Sequence, residues 1–136
     1  MLARVEESKV TRIRRSDAER IVQHQSAGDA AVFTFDTQGV ADRDGFFDAA
    51  RLALPLDPPL GTFRNVWDAL ADSLFGGLAA MNSSRIAIIW IDSSEFESTS
   101  PEEFEIALDV FRQVAVTIAE KKFTDRAPKD LRVFVA

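Results

Sequence analysis

Cysteine and tyrosine are absent from this chain, and histidine occurs once, at His24. Without cysteine there is no disulfide, no thiol nucleophile and no cysteine-ligated metal. One histidine cannot furnish a multi-histidine metal site or, with so little material, a Ser-His-Asp triad, so His24 reads as an ordinary surface or packing residue. Long apolar runs are missing too, since none approaches the roughly 18–20 residues that a membrane-spanning helix needs. The N-terminus carries Glu6, Glu7 and Asp17 and has no apolar core. It does not read as a secretory leader, and a cytoplasmic location is expected. Positive charge is in the minority, 16 Lys and Arg against 22 Asp and Glu, for a net charge of -6. That balance disfavours binding to nucleic acid phosphates. Solubility alone accounts for it, and a basic partner is its natural complement.

What is present is the material of one folded domain: 136 residues, 46% hydrophobic and 28% charged. Residues 1–29 differ from the rest, mixing Arg4, Lys9, Arg12, Arg14, Arg15 and Arg20 with acids before the turn chemistry of Ser26-Ala27-Gly28-Asp29. The spacing of Val5, Val10, Ile13 and Ile21 is too irregular to choose between a packed helix, a packed strand and a loose arm. Ala31–Phe35 reads as a strand. Asp42 or Asp44 caps a helix bearing Phe46, Phe47, Ala50, Ala53 and Leu54. Three prolines make 55–61 a loop. Helical periodicity returns from Val66 to about Met81, and Arg85–Ile91 is a nearly continuous apolar strand, as expected when both faces are covered. Trp90 within it reads as core.

Ser100-Pro101-Glu102-Glu103 is a helix start, with serine as N-cap, proline first and glutamate third. Phe104, Leu108, Phe111, Ala115 and Ile118 then supply a core stripe, and Leu131–Val135 is the last strand. The order β-α-α-β-α-β predicts an α/β domain with a small, three-stranded parallel sheet. The seven carboxylates between Asp92 and Asp109 lack the glycine and terminal glutamate of a calcium loop. They read as a solvated acidic loop, and no metal is expected.

The helix from Val66 is the informative one. At about 100° per residue, Val66, Ala69, Leu70, Ser73, Leu74 and Gly77 share a core-facing stripe, leaving Asp68, Ala71, Asp72 and Phe75 opposite. Asp68 and Asp72 are one turn apart, so their carboxylates repel. The helix dipole favours Asp68 in the first turn, but Asp72 lies further in. An aromatic on the same solvent-directed face reads as an interface anchor. Paired carboxylates can also act as general acid and base, but that chemistry needs a cleft rather than an exposed helix face. An enzyme is therefore not expected.

From Gly61-Thr62-Phe63-Arg64-Asn65 through Val66-Trp67-Asp68-Ala69-Leu70-Ala71-Asp72-Ser73-Leu74, the chain resembles the barstar family. Its members carry a glycine, an asparagine and an Asp-Ala-Leu-x-Asp-x-Leu helix after a Leu-Pro loop, which here opens at Leu54-Pro55. The likeness continues through Ile88-Ile89-Trp90 and Val110-Phe111-Arg112. It covers about residues 31–136, which implies a barstar-like domain over 30–136 preceded by an N-terminal extension over 1–29. The resemblance implies a cytoplasmic inhibitor, monomeric when free and without a cofactor, that blocks a secreted guanyl-specific ribonuclease before its export. The loop and helix would plug the nuclease active site, with aspartates where substrate phosphate sits. Asp68 and Asp72 match the two helix aspartates of the family, and Asp72 matches the one that enters the active site. The implied partner surface comprises Leu60, Phe63, Arg64, Asn65, Trp67, Asp68, Ala71, Asp72, Phe75 and Gly76.

The chain also departs from the family. It has no loop tyrosines, and its loop is longer by a few residues. Ala71 replaces an aromatic, Gly77 a tryptophan and Gln113 a glutamate. Phe63, Trp67 or Phe75 is left to supply the aromatic contact. An immunity or adaptor protein of the same fold, acting on a different toxin or host protein, is the alternative.

Overall fold

Strand β3 (Arg85–Ile91) is buried from Ile86 through Trp90, which explains its unbroken apolar run. Alternate side chains enter two separate apolar layers. Ile86, Ile88 and Trp90 face one, and Ala87 and Ile89 face the other. Its neighbours are β2 (Ala31–Asp36) and β4 (Asp130–Val135), both parallel to it. Phe35 lies opposite Trp90 across one ladder, and Val135 lies opposite it across the other. The computed structural model describes residues 9–61, 65–120 and 128–136.

Four helices cover one face: α2 (Arg43–Ala53), α3 (Trp67–Ala79), the short α4 (Ser94–Thr99) and α5 (Pro101–Ile118). Phe35, Phe46, Phe96, Phe104 and Phe111 converge around Trp90 with ring centroids 5.3–6.4 Å from its own. The buried indole still needs an acceptor. Its Nε1 donates to Thr37 Oγ1 at 2.7 Å, and that hydroxyl donates to the Asp92 carbonyl.

The sheet has four strands, in the order β1-β4-β3-β2, rather than the three expected. The additional one, β1 (Val10–Arg12), comes from the first 29 residues and pairs parallel with β4, Val10 opposite Val133. Three residues hold only one apolar-polar alternation, so the pattern carried no readable strand signal. After a single 3₁₀ turn, α1 (Ala18–Ala27) crosses to the second face. There Ala18 packs with Ala87 and Ile89, flanked by Ile21, Val22 and Phe134. Ion pairs reinforce the attachment: Lys9 with Asp130 (3.1 Å), Arg12 with Glu97 (2.8 Å) and Arg15 with Asp92 (3.2 Å). Burial alone would raise the pKa of the Asp130 carboxyl. Hydrogen bonds and positive charge from Arg132 and Lys9 outweigh that and hold it below its ordinary value.

Two local expectations change. Within the acidic stretch read as a loop, Ser94–Thr99 is helical and buries Phe96, with Glu95 and Glu97 in its first turn. A helix of six residues gives one apolar contact and no periodicity to read. Ser100 does occupy the N-cap of α5, but its hydroxyl donates to the Ala41 carbonyl (2.6 Å) instead of capping the helix. Asp42, by contrast, caps α2 directly, accepting from the Gly45 amide at 2.9 Å.

Candidate functional site

The surface in question is built on α3, which lies beside α5 on the helix-covered face. Its buried residues are Leu70, Ser73, Leu74, Gly77 and Leu78, a stripe at i, i+3, i+4, i+7 and i+8. Val66 (40% exposed) and Ala69 fall outside it, contrary to the expected face. The helix begins at Trp67 and is rotated so that Trp67, Ala71 and Phe75 lean on the core edge. Phe75 is thus partly buried, not free in solvent. With Ala71, Asp72, Gln113, Val114 and Thr117 it lines a groove of about 140 Å³ between α3 and α5. Periodicity placed Phe75 opposite the core, but it could not say that α5 covers that flank.

Asp68 and Asp72 are both exposed on the outer side of α3. Among the described residues, neither accepts a hydrogen bond or pairs with a cation. Nearby acids are engaged: Asp44 with Asn65, Asp48 with Arg51, Glu103 with Arg43 and Trp67, Asp109 with Arg112. Among the described residues, two like charges thus stand one turn apart with neither offset. Both carboxylates are exposed to water on the helix surface rather than enclosed in a cleft. Among the described residues no three ligating side chains converge to hold a metal ion.

The loop before α3 lies directly on the helix. The Asp57 amide donates to the Ser73 carbonyl at 2.9 Å. This close approach requires glycine at two consecutive helix positions. A Cβ at Gly76 would stand 2.1 Å from the Asp57 carbonyl oxygen, and one at Gly77 would stand 1.8 Å from that of Pro55. Gly76, expected at the partner surface, is thus a seat for the loop. The same contact carries Asp57, itself exposed, to the turn that follows Asp72. Sequence reasoning missed Asp57 because nothing in a proline-rich stretch says which helix it will touch.

The other end of the loop is fastened to α2. Arg51 donates from Nη2 to the Gly61 carbonyl at 2.7 Å and to Asn65 Oδ1. Its Nη1 donates to Asp48 at 3.0 Å, and its guanidinium lies over the Phe47 ring. Asn65 is held from three sides. Its Nδ2 donates to Asp44 at 2.7 Å, its Oδ1 accepts from Arg51, and its carbonyl accepts from Arg43. Leu60 is half-buried and, with Arg51, Leu54, Leu56 and Pro59, surrounds a pocket of about 160 Å³. Trp67 packs on Phe46 and Phe47, and its Nε1 donates to Glu103 at 2.8 Å, so its indole is committed to the fold. Phe63 and Arg64 lie outside the described residues.

Residues 30–135 match the family model described as Barstar (barnase inhibitor). The chain belongs to the barstar family. The four-stranded parallel sheet with its packed helices is consistent with the barstar fold, and the matched span contains β2 to β4 and every residue of the candidate surface. Comparisons with curated proteins and with solved structures give no match. The barstar family is one of inhibitors, and among the described residues no helix is long and apolar enough to cross a membrane.

Proposed function

We propose that this chain is an inhibitor that occupies the active site of a secreted guanyl-specific ribonuclease, using α3 and the loop before it as a phosphate mimic. The observation that carries this reading is the pair Asp68 and Asp72, exposed and adjacent on a helix whose other side is core, with no counter-charge among the described residues. A nuclease that binds RNA must present cations where phosphate sits, and two aspartates one turn apart offer them matching charge. The barstar match over the same residues supports the class of partner. In this reading the inhibitor works in the cytoplasm as a monomer until it meets the nuclease. Residues 30–136 carry the contact surface, and residues 1–29 are an extension outside it.

The test is inhibition of a panel of small secreted guanyl-specific ribonucleases by the full chain. Stoichiometric inhibition of at least one is expected, and no inhibition at any ratio would overturn the reading. Asp72→Ala is expected to weaken the complex by about 3–5 kcal/mol, because the nuclease cations would remain buried and unpaired. Asp109→Ala removes an exposed carboxylate that already has Arg112 as its partner, and should change little. Equal losses would reject Asp72 as the central contact.

The lack of tyrosine anywhere in the chain favours a second reading, an immunity or adaptor protein whose partner is a different toxin or host protein. Recovery of a non-nuclease partner whose binding is lost in Asp72→Ala would select it.

A further inference from the structure

We infer that Arg51 is a positioning residue for the partner-binding loop, acting through Gly61 and Asn65 without itself being a partner contact. The inference rests on the inhibitor reading above. Arg51 belongs to α2, outside both the loop and α3, and its side chain is only 16% exposed. One guanidinium nitrogen bridges the carbonyl of Gly61 and the side chain of Asn65, four residues apart in sequence. Gly61 and Asn65 are thereby tied to the same point on α2.

The opposite end of the same loop is pinned on Gly76 and Gly77. The stretch from Pro55 to Gly61 is therefore held at both ends, against two different helices. Arg51 is the only described side chain that bonds to both Gly61 and Asn65. Among the described residues its Nε is buried without an acceptor, which costs stability. A guanidinium placed only to stabilise α2 has no need to enter that site, since its pair with Asp48 is available at the surface. Asp48 is 75% exposed, so that pair contributes little in itself. The contacts that justify burial are those to the loop.

The physical consequence is preorganisation. A loop already ordered when free loses less conformational entropy on docking, so affinity rises without any new contact to the partner. Lysine cannot replace arginine here, because a compact ammonium lacks the planar fork that reaches Asp48 on one side and two loop acceptors on the other.

Full-length wild type, Arg51→Met and Arg51→Lys are compared by amide hydrogen exchange of the free proteins and by nuclease binding kinetics. Near-ultraviolet circular dichroism checks that Trp90 remains packed. Exchange in residues 56–61 and at Asn65 is expected to accelerate about tenfold or more in both variants, with β3 and α5 unchanged. Affinity for the inhibited nuclease is expected to fall about tenfold or more, with no rescue by lysine. A double-mutant cycle with Asn65→Ala should show strong non-additivity, as expected for groups in one hydrogen-bond network.

Faster loop exchange with unchanged affinity would overturn the positioning role, as would unchanged exchange. A loss confined to Arg51→Met and restored by Arg51→Lys would also overturn it, since charge or stem packing would then suffice. If β3 exchange rises as well in Arg51→Met, Arg51→Gln decides, by whether it loosens the loop alone. Should the wild type inhibit no nuclease, the inhibitor reading fails on its own, and the exchange experiment still judges whether Arg51 orders the loop.

Discussion

Gly76 and Gly77 set how close the loop can come to the helix that carries Asp68 and Asp72. At Gly77 even one methyl group would meet the Pro55 carbonyl well inside contact distance, and the obstacle is backbone rather than a side-chain tip. Gly77→Ala should therefore destabilise the fold by about 1–3 kcal/mol through overpacking, although alanine is the better helix former. Thermal unfolding measures the first effect. Weaker nuclease inhibition at temperatures where the variant is folded measures the second, because the loop must shift off α3. A neutral or stabilising substitution would show that the loop can move freely. Trp67 makes the complementary point. It is one of three aromatics that could stand in for the missing loop tyrosines, and its indole bonds to Glu103 and packs on two phenylalanines. An aromatic near an acid pair is not free merely because its neighbours are.

At the scale of elements, β1 and α1 are the addition to the matched barstar region. The family match begins at residue 30, yet residues 9–29 contribute an edge strand and the cover for the second face of the sheet. Removing residues 1–29 would expose Ala87 and Ile89, now fully buried, together with Phe134, and would leave β4 as an open edge. The expected result is a loss of about 3 kcal/mol or more, from the uncovered aliphatic surface alone. Self-association that grows with concentration should accompany it, since an uncovered apolar face and a free strand edge both invite pairing. Chemical denaturation and sedimentation measure these two outcomes. A truncated chain as stable and monomeric as the full one would make the segment an appendage. The sequence did not reveal this role because Val10–Arg12 pairs with a strand more than 120 residues away, and no local pattern reports such a partner.

For the whole molecule the charge is unevenly placed. Residues 1–29 hold six Lys and Arg against five Asp and Glu, a net +1, and residues 30–136 hold ten against seventeen, a net -7. The excess of negative charge therefore lies in the part that bears the candidate surface. If the partner is the basic nuclease proposed above, association should be steered by this field, and its rate should fall roughly tenfold or more between low and high salt while dissociation changes less. Stopped-flow binding at several ionic strengths checks it, and an association rate indifferent to salt would remove steering from the account. Much of this was legible in one dimension. The apolar run of β3 declared a strand buried on both faces, the stripe of α5 declared its core side, and Asp68 and Asp72 had to share an exposed face once their segment was helical. Local periodicity is enough for each of these, because the repeat of the backbone alone determines which side chains point together. Only the tertiary structure decided that α5 shelters Phe75, that Arg51 ties Gly61 to Asn65, that Asp57 lies against α3, and that the first residues complete the sheet. Each of those depends on which distant surface comes to rest against which, a choice made by packing the whole chain.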